Sequence, residues 1–163
     1  MKNLMMIIFL ALASINLFAL DQEKEPKGFR GIEWGTDLSK NKEFILLDGD
    51  EGLKRYNRIN DKMKIGEIKV GNIYYITYKD KFYSVVILSN DKYLKTTFEE
   101  TYGIPYQPNQ FIEKFEWYFD NVIIKSYVNM YSGIITIDYF YMPIVNEYFS
   151  DKRQKASEGK KDL

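Results

Sequence analysis

One segment of this chain carries a complete set of helix signals, and on both sides of it apolar residues recur at every second position. In NDKYLKTTFEETYGIP, Asn90 or Asp91 can accept hydrogen bonds from the free N–H groups of a first helical turn. Leu94, Phe98, Thr101 and Tyr102 fall on one face, with Lys92, Lys95, Glu99 and Glu100 mostly opposite. Gly103 can turn left-handed, and Pro105 prevents continuation. Downstream, Phe111, Glu113, Phe115, Trp117 and Phe119 alternate with Ile112, Lys114, Glu116 and Tyr118, the period of a half-buried strand. Asp120-Asn121 is a tight turn, VIIKSYV returns, Asn129 to Gly133 turns again, and IITIDYFYM makes a third strand before Pro143.

The same logic holds upstream. KIGEIKVGNIYYITYKDKFYSVVILS reads as strands interrupted near Gly71-Asn72 and at Lys79-Asp80-Lys81. Ile68, Val70, Tyr74, Ile76 and Tyr78 share one face if Gly71-Asn72 only bends the chain. Asp37 to Phe44 reads as a short helix capped by Thr36, with Asn41 interrupting it. This order of elements predicts an α+β fold: an antiparallel sheet of about five to seven strands with meander connections, and two helices on one of its faces.

The chain ends set the limits of this domain. Lys2 followed by the apolar run from Leu4 reads as a secretory signal peptide, residues 1–19, with cleavage expected after Ala19. The run from Leu4 to Leu20 contains Ser14 and Asn16 and is at the short limit for spanning a bilayer, so no transmembrane span is expected after cleavage. Residues 20–27 are a polar spacer, 28–149 a single α+β domain, and 150–163 a charged, disordered tail. The expected location is outside the cytoplasm, periplasmic or secreted.

Composition removes whole classes of chemistry. The chain has no cysteine and no histidine. Disulfides, thiolate metal sites, Cys-His and Ser-His-Asp relays and the HExxH zinc site are therefore all absent, and the domain must hold together by its core alone. No Gly-rich loop fits a phosphate-binding pattern. All 23 acidic residues follow position 19, against 22 basic ones, a net charge of −1 without the basic excess of a nucleic-acid binder. Asp48-Gly49-Asp50-Glu51-Gly52 starts like a calcium loop, but Gly52, Leu53 and Ile59 stand where the EF-hand needs a ligand, a glycine and a glutamate. No cofactor and no metal are expected. Glu113 and Glu116, which flank the aromatic strand, lie on opposite faces by parity and offer no obvious acid–base pair.

Two features remain as candidate sites. Tyr75, Tyr83, Tyr118, Tyr127 and Tyr139 would form an aromatic binding surface if their rings were contiguous and exposed. The stretch GFRGIEWGTDLSK sets Phe29, Ile32, Trp34 and Leu38 among three glycines, with Gly35 and Thr36 following the tryptophan. Its large apolar residues are expected to anchor the start of the domain, with Thr36 capping the next turn.

In Phe29, Gly31, Ile32, Trp34, Gly35, Thr36 and Leu38 this stretch resembles the F-x-G-I-x-W-G-T motif of a group of uncharacterised exported bacterial proteins. A later Tyr102-Gly103-x-Pro105 and a strand tryptophan, Trp117, add to the likeness, while Asn41 departs from the usual helical continuation. The resemblance implies an exported α+β domain and assigns no catalytic residue. The expected function is that of a non-catalytic envelope protein binding another protein or an envelope polymer. The alternative is a glycan hydrolase using two carboxylates, which would need both in one concave pocket.

Overall fold

Alternating apolar residues build a seven-stranded antiparallel sheet in the computed structural model, which describes residues 24–50 and 52–159. The leader, the first spacer residues and the last four residues lie outside the described residues. Strands β3 (Phe44–Asp50), β4 (Leu53–Arg58), β7 (Asn72–Tyr78), β8 (Lys81–Ser89), β11 (Ile135–Tyr141), β10 (Val122–Val128) and β9 (Lys114–Tyr118) lie side by side in that order. Two two-stranded ribbons flank this sheet: β1 (Gly28–Phe29) with β2 (Ile32–Glu33), and β5 (Lys64–Ile65) with β6 (Ile68–Lys69). After β8, helix α1 (Leu94–Tyr102) carries the chain across the sheet to its far edge, and β9, β10 and β11 return stepwise to pair with β8. The fold is α+β, with the expected meander hairpins.

Cross-strand register separates the two faces. Tyr56, Tyr75, Val85, Tyr139, Ile124 and Trp117 form one row through six strands, and all are buried. With Phe44, Ile73, Phe82, Ile87, Val122 and Ile137 they make the core face, which α1 covers with Leu94 and Phe98. The N-cap of α1 is Tyr93, with no side-chain cap; the Asp91 carboxylate instead bonds the turn before it, accepting from the Tyr93 N–H at 2.9 Å. Gly103 ends the helix at φ 90°, where a side chain would be strained.

The lead-in stretch packs on the same face. Arg30 and Gly31, at φ 50° and 79°, form the tight turn of the β1–β2 ribbon. Phe29 and Leu38 are buried, while Ile32 and Trp34 are partly buried against the core. The Trp34 ring lies 4.8 Å from Phe82 and stacks on Tyr141, and its indole N–H donates to the Pro26 carbonyl at 2.7 Å. Gly35 N–H donates to Phe82 O, and Phe82 N–H to Thr36 O, which fastens the segment to the start of β8. The described part of the spacer is thus held in place rather than loose. Trp34→Ala should lower stability by about 2–3 kcal/mol, below the loss for a fully buried tryptophan. Chemical denaturation measures this directly, and an unchanged midpoint would remove the anchoring role.

Several expectations are corrected. Residues 37–44 form only a 3₁₀ turn, Leu38–Lys40, capped by Asp37, whose carboxylate accepts from Ser39 N–H; Thr36 instead donates to Glu33 O. Gly71 does more than bend the chain: Ile68 belongs to a separate ribbon and Val70 is buried in the core, whereas Tyr74, Ile76 and Tyr78 point to the opposite face. The sequence does not signal strands β3 and β4, because the Asp48–Gly52 run looks like loop. The aromatic strand starts at Lys114, since Asn109 captures the Phe111 N–H and kinks the chain before it. Phe111 is exposed as a result.

The largest correction concerns the C-terminus. Residues 150–159 are not a disordered tail but the second half of helix α2 (Met142–Gly159). Pro143 sits in its first turn, where a missing N–H costs nothing. The helix lies on the face opposite α1: Tyr148 meets Tyr78 edge-on at 5.2 Å, Ile144 is buried, and Tyr78 OH donates to Asp151 at 2.7 Å. Lys79 and Lys81 pair with Glu147, and Lys79 also with Asp151. These contacts explain why helix persists past Ser150. Among the described residues no helix is long and apolar enough to cross a membrane.

Candidate functional site

The sheet has one face under α1 and the lead-in stretch, while α2 touches the other mainly at the β7–β8 turn end. The rest of that second face is the candidate site. Its central row runs Tyr74, Val86, Asp138, Lys125, Glu116 across β7, β8, β11, β10 and β9. A neighbouring row runs Arg55, Ile76, Ser84, Phe140, Ile123, Tyr118, and on the other side lie Leu88, Thr136, Tyr127 and Lys114. Strand alternation places these residues together, because each is the odd partner of a core residue.

The five sequence-predicted tyrosines do not form one surface. Tyr75 and Tyr139 are buried on the core face; Tyr75 OH donates to Asp61 at 2.8 Å and Tyr139 OH bonds to Tyr102 OH at 3.2 Å. Tyr83, half-buried near Tyr148 of α2, has its phenol pushed up to about 12 by burial. Only Tyr118 and Tyr127 are exposed on the open face. Parity alone could not assign them, since both faces carry tyrosine and β8 gains a bulge residue beside Ile76 and Thr77.

Charge on this face is organised around two carboxylates. Glu116 is buried; burial raises its pKa, but hydrogen bonds from Tyr118 and Lys114 and the nearby Lys125 outweigh that and leave it lowered. Lys114 lies 3.1 Å and Lys125 3.6 Å from its Oε1. The Tyr118 phenol, donating to this carboxylate, is pushed up to about 12. Asp138 is the reverse case. Burial raises it from 3.8 to about 6, opposed only in part by Tyr127 and Lys125. Its buried Oδ1 has no hydrogen-bond partner among the described residues. A half-buried carboxylate with one oxygen lacking a donor is a place where a ligand N–H, O–H or cation would gain most.

The carboxylate pair that hydrolysis would need is not Glu113 with Glu116. The two acids of the central row are Glu116 and Asp138, and Lys125 stands between them in the register. Asp48, from the apparent calcium loop, lies in β3 and pairs with Arg55. Among the described residues no three acids converge as cation ligands. Comparison with protein-family models, curated proteins and solved structures finds no match to this chain.

A pH dependence follows from Asp138. The folded state holds its proton more tightly than the unfolded chain, so its contribution to stability is full below about 4 and is lost as pH rises through about 6. Asp138→Asn should flatten that decline and raise stability at pH 8 by about 1–2 kcal/mol, after allowing for water reaching the site. Urea unfolding at pH 4, 6 and 8 measures this; equal losses for both proteins across the range would contradict it.

Proposed function

We propose that this protein is a non-catalytic, exported binding module of the cell envelope, which engages a protein or envelope polymer through the open sheet face. The observation that carries the reading is Asp138, a half-buried carboxylate with one unsatisfied oxygen, on the same face as exposed Tyr118 and Tyr127 and half-buried apolar side chains. Such a surface leaves hydrogen-bonding capacity unused until a ligand arrives, and the aromatic rings offer area at low entropic cost. Export rests on the apolar leader and on the resemblance of the Phe29–Leu38 motif to exported proteins.

The test is capture from solubilised envelopes and sedimentation with insoluble envelope polymer, using the chain from Leu20 and a Tyr118→Ala/Tyr127→Ala variant. A species retained by the first and lost by the second supports the reading. Equal retention by both, or none, sinks it. Release of soluble glycan fragments by the unaltered chain would favour the hydrolase instead.

A further inference from the structure

Apart from Ile104, 97 % exposed beside Trp117 and Phe119 at the β9 edge, the most exposed apolar side chains are not on the sheet face but at one end of it. β9 begins opposite the end of β10, and β11 begins opposite the end of β8, so the loops before β9, between β10 and β11, and after β8 emerge together. Four adjacent strands place them within a strip about 15 Å wide. Phe111 is 87 % exposed, Met130 93 % and Tyr131 102 %, with Tyr93 and Ile112 also more than half exposed.

All three loops are built alike. In Asp91-Lys92-Tyr93, Asn109-Gln110-Phe111 and Asn129-Met130-Tyr131, the first side chain accepts a hydrogen bond from the N–H of the aromatic two residues on, at 2.9, 2.9 and 3.0 Å. Neighbouring N–H groups are also taken: Ser132 by Asn129 Oδ1, Gly133 by Asn129 O, and Ile112 by Asn109 O. The tips therefore hold their rings outward on a backbone whose donors are largely satisfied internally. Among the described residues the rings of Tyr93, Phe111 and Tyr131 touch no other ring. Charges at the base are mixed, Asp91 with Lys92 and Glu113 with Lys114.

We propose that this crown inserts into the interfacial region of a lipid bilayer. Separate aromatic prongs need no complementary pocket in a fluid interface, where Tyr and other amphipathic rings are favoured. Backbone donors that are already bonded remove the main penalty for entering it. The mixed charge makes attachment depend on apolar insertion rather than on anionic lipid, so added salt changes it little. Attachment through the crown leaves the open sheet face free to bind.

The test is flotation with phosphatidylcholine vesicles, with and without phosphatidylglycerol, using the chain from Leu20 so that the apolar leader contributes nothing. The expected result is flotation of the unaltered chain and a loss of at least about tenfold for Tyr93→Ser/Phe111→Ser/Tyr131→Ser, with unchanged unfolding curves. Phe111→Trp should gain fluorescence that lipids with brominated acyl chains quench. Tyr118→Ala/Tyr127→Ala should float normally, which separates this proposal from the sheet-face reading. Failure of the unaltered chain to float, equal flotation of the triple variant, or an unquenched Trp at 111 overturns it. So does a protein partner lost by the triple variant when no vesicle binding occurs.

Discussion

Asp61→Ala is expected to lower stability by about 3–5 kcal/mol, although Asp61 lies in a loop. Its side chain is only 8 % exposed and joins three parts of the chain that alternation does not connect. One oxygen receives the Arg30 guanidinium from the β1–β2 turn, and the other accepts from Tyr75 OH in the centre of the core face. Arg30 also donates to Lys64 O, and Arg58 to Arg30 O. Removing the carboxylate leaves the largely buried guanidinium without its counter-charge, with Lys64 O still bonded, and the buried phenol without its carboxylate acceptor, and the large effect comes from those weakened groups. Asp61→Asn keeps the shape and one acceptor and should lose less. Equilibrium urea unfolding of both variants distinguishes this from a surface ion pair, for which the alanine variant would lose under about 1 kcal/mol.

Phe82→Ala should cost about 3–5 kcal/mol by a different mechanism. Phe82 is fully buried at the start of β8, against Trp34 on one side and Tyr75 at 5.7 Å on the other. It also shares both backbone hydrogen bonds with the Gly35–Thr36 segment. Truncation opens a cavity where the lead-in stretch meets the sheet, and aromatic walls on both sides restrict collapse. Phe82→Leu refills most of the volume and should recover more than half of the loss. In the Phe82→Ala/Trp34→Ala double variant the effects should be less than additive, because the two rings are in contact. Full additivity in denaturation would show that they do not form one unit.

Much of the fold was legible because its signals are local. β10 coincides with VIIKSYV, and α1 ends where Gly103 and Pro105 require. The C-terminal helix was not legible: KRQKASEG has no apolar face, and its helical state follows from anchoring one turn earlier through Tyr148, Glu147 and Asp151. Half of the candidate site was hidden for a related reason. Asp138 is an ordinary strand aspartate until register sets it between Val86 and Lys125, in a position with too few donors. The three Asx-x-aromatic repeats can be read in the sequence, but only topology shows that their loops share one end of the sheet.

The sequence by itself determined the α+β class, the lack of histidine, cysteine and disulfide chemistry, and the apolar anchors of the Phe29–Leu38 stretch. Burial periodicity and residue inventory suffice for these, since each depends on neighbours along the chain. Only the tertiary structure decided which tyrosines meet water, which carboxylate oxygen lacks a donor and which loop tips stand together. Those properties belong to pairs of residues far apart in sequence, and strand order and register alone bring them into contact.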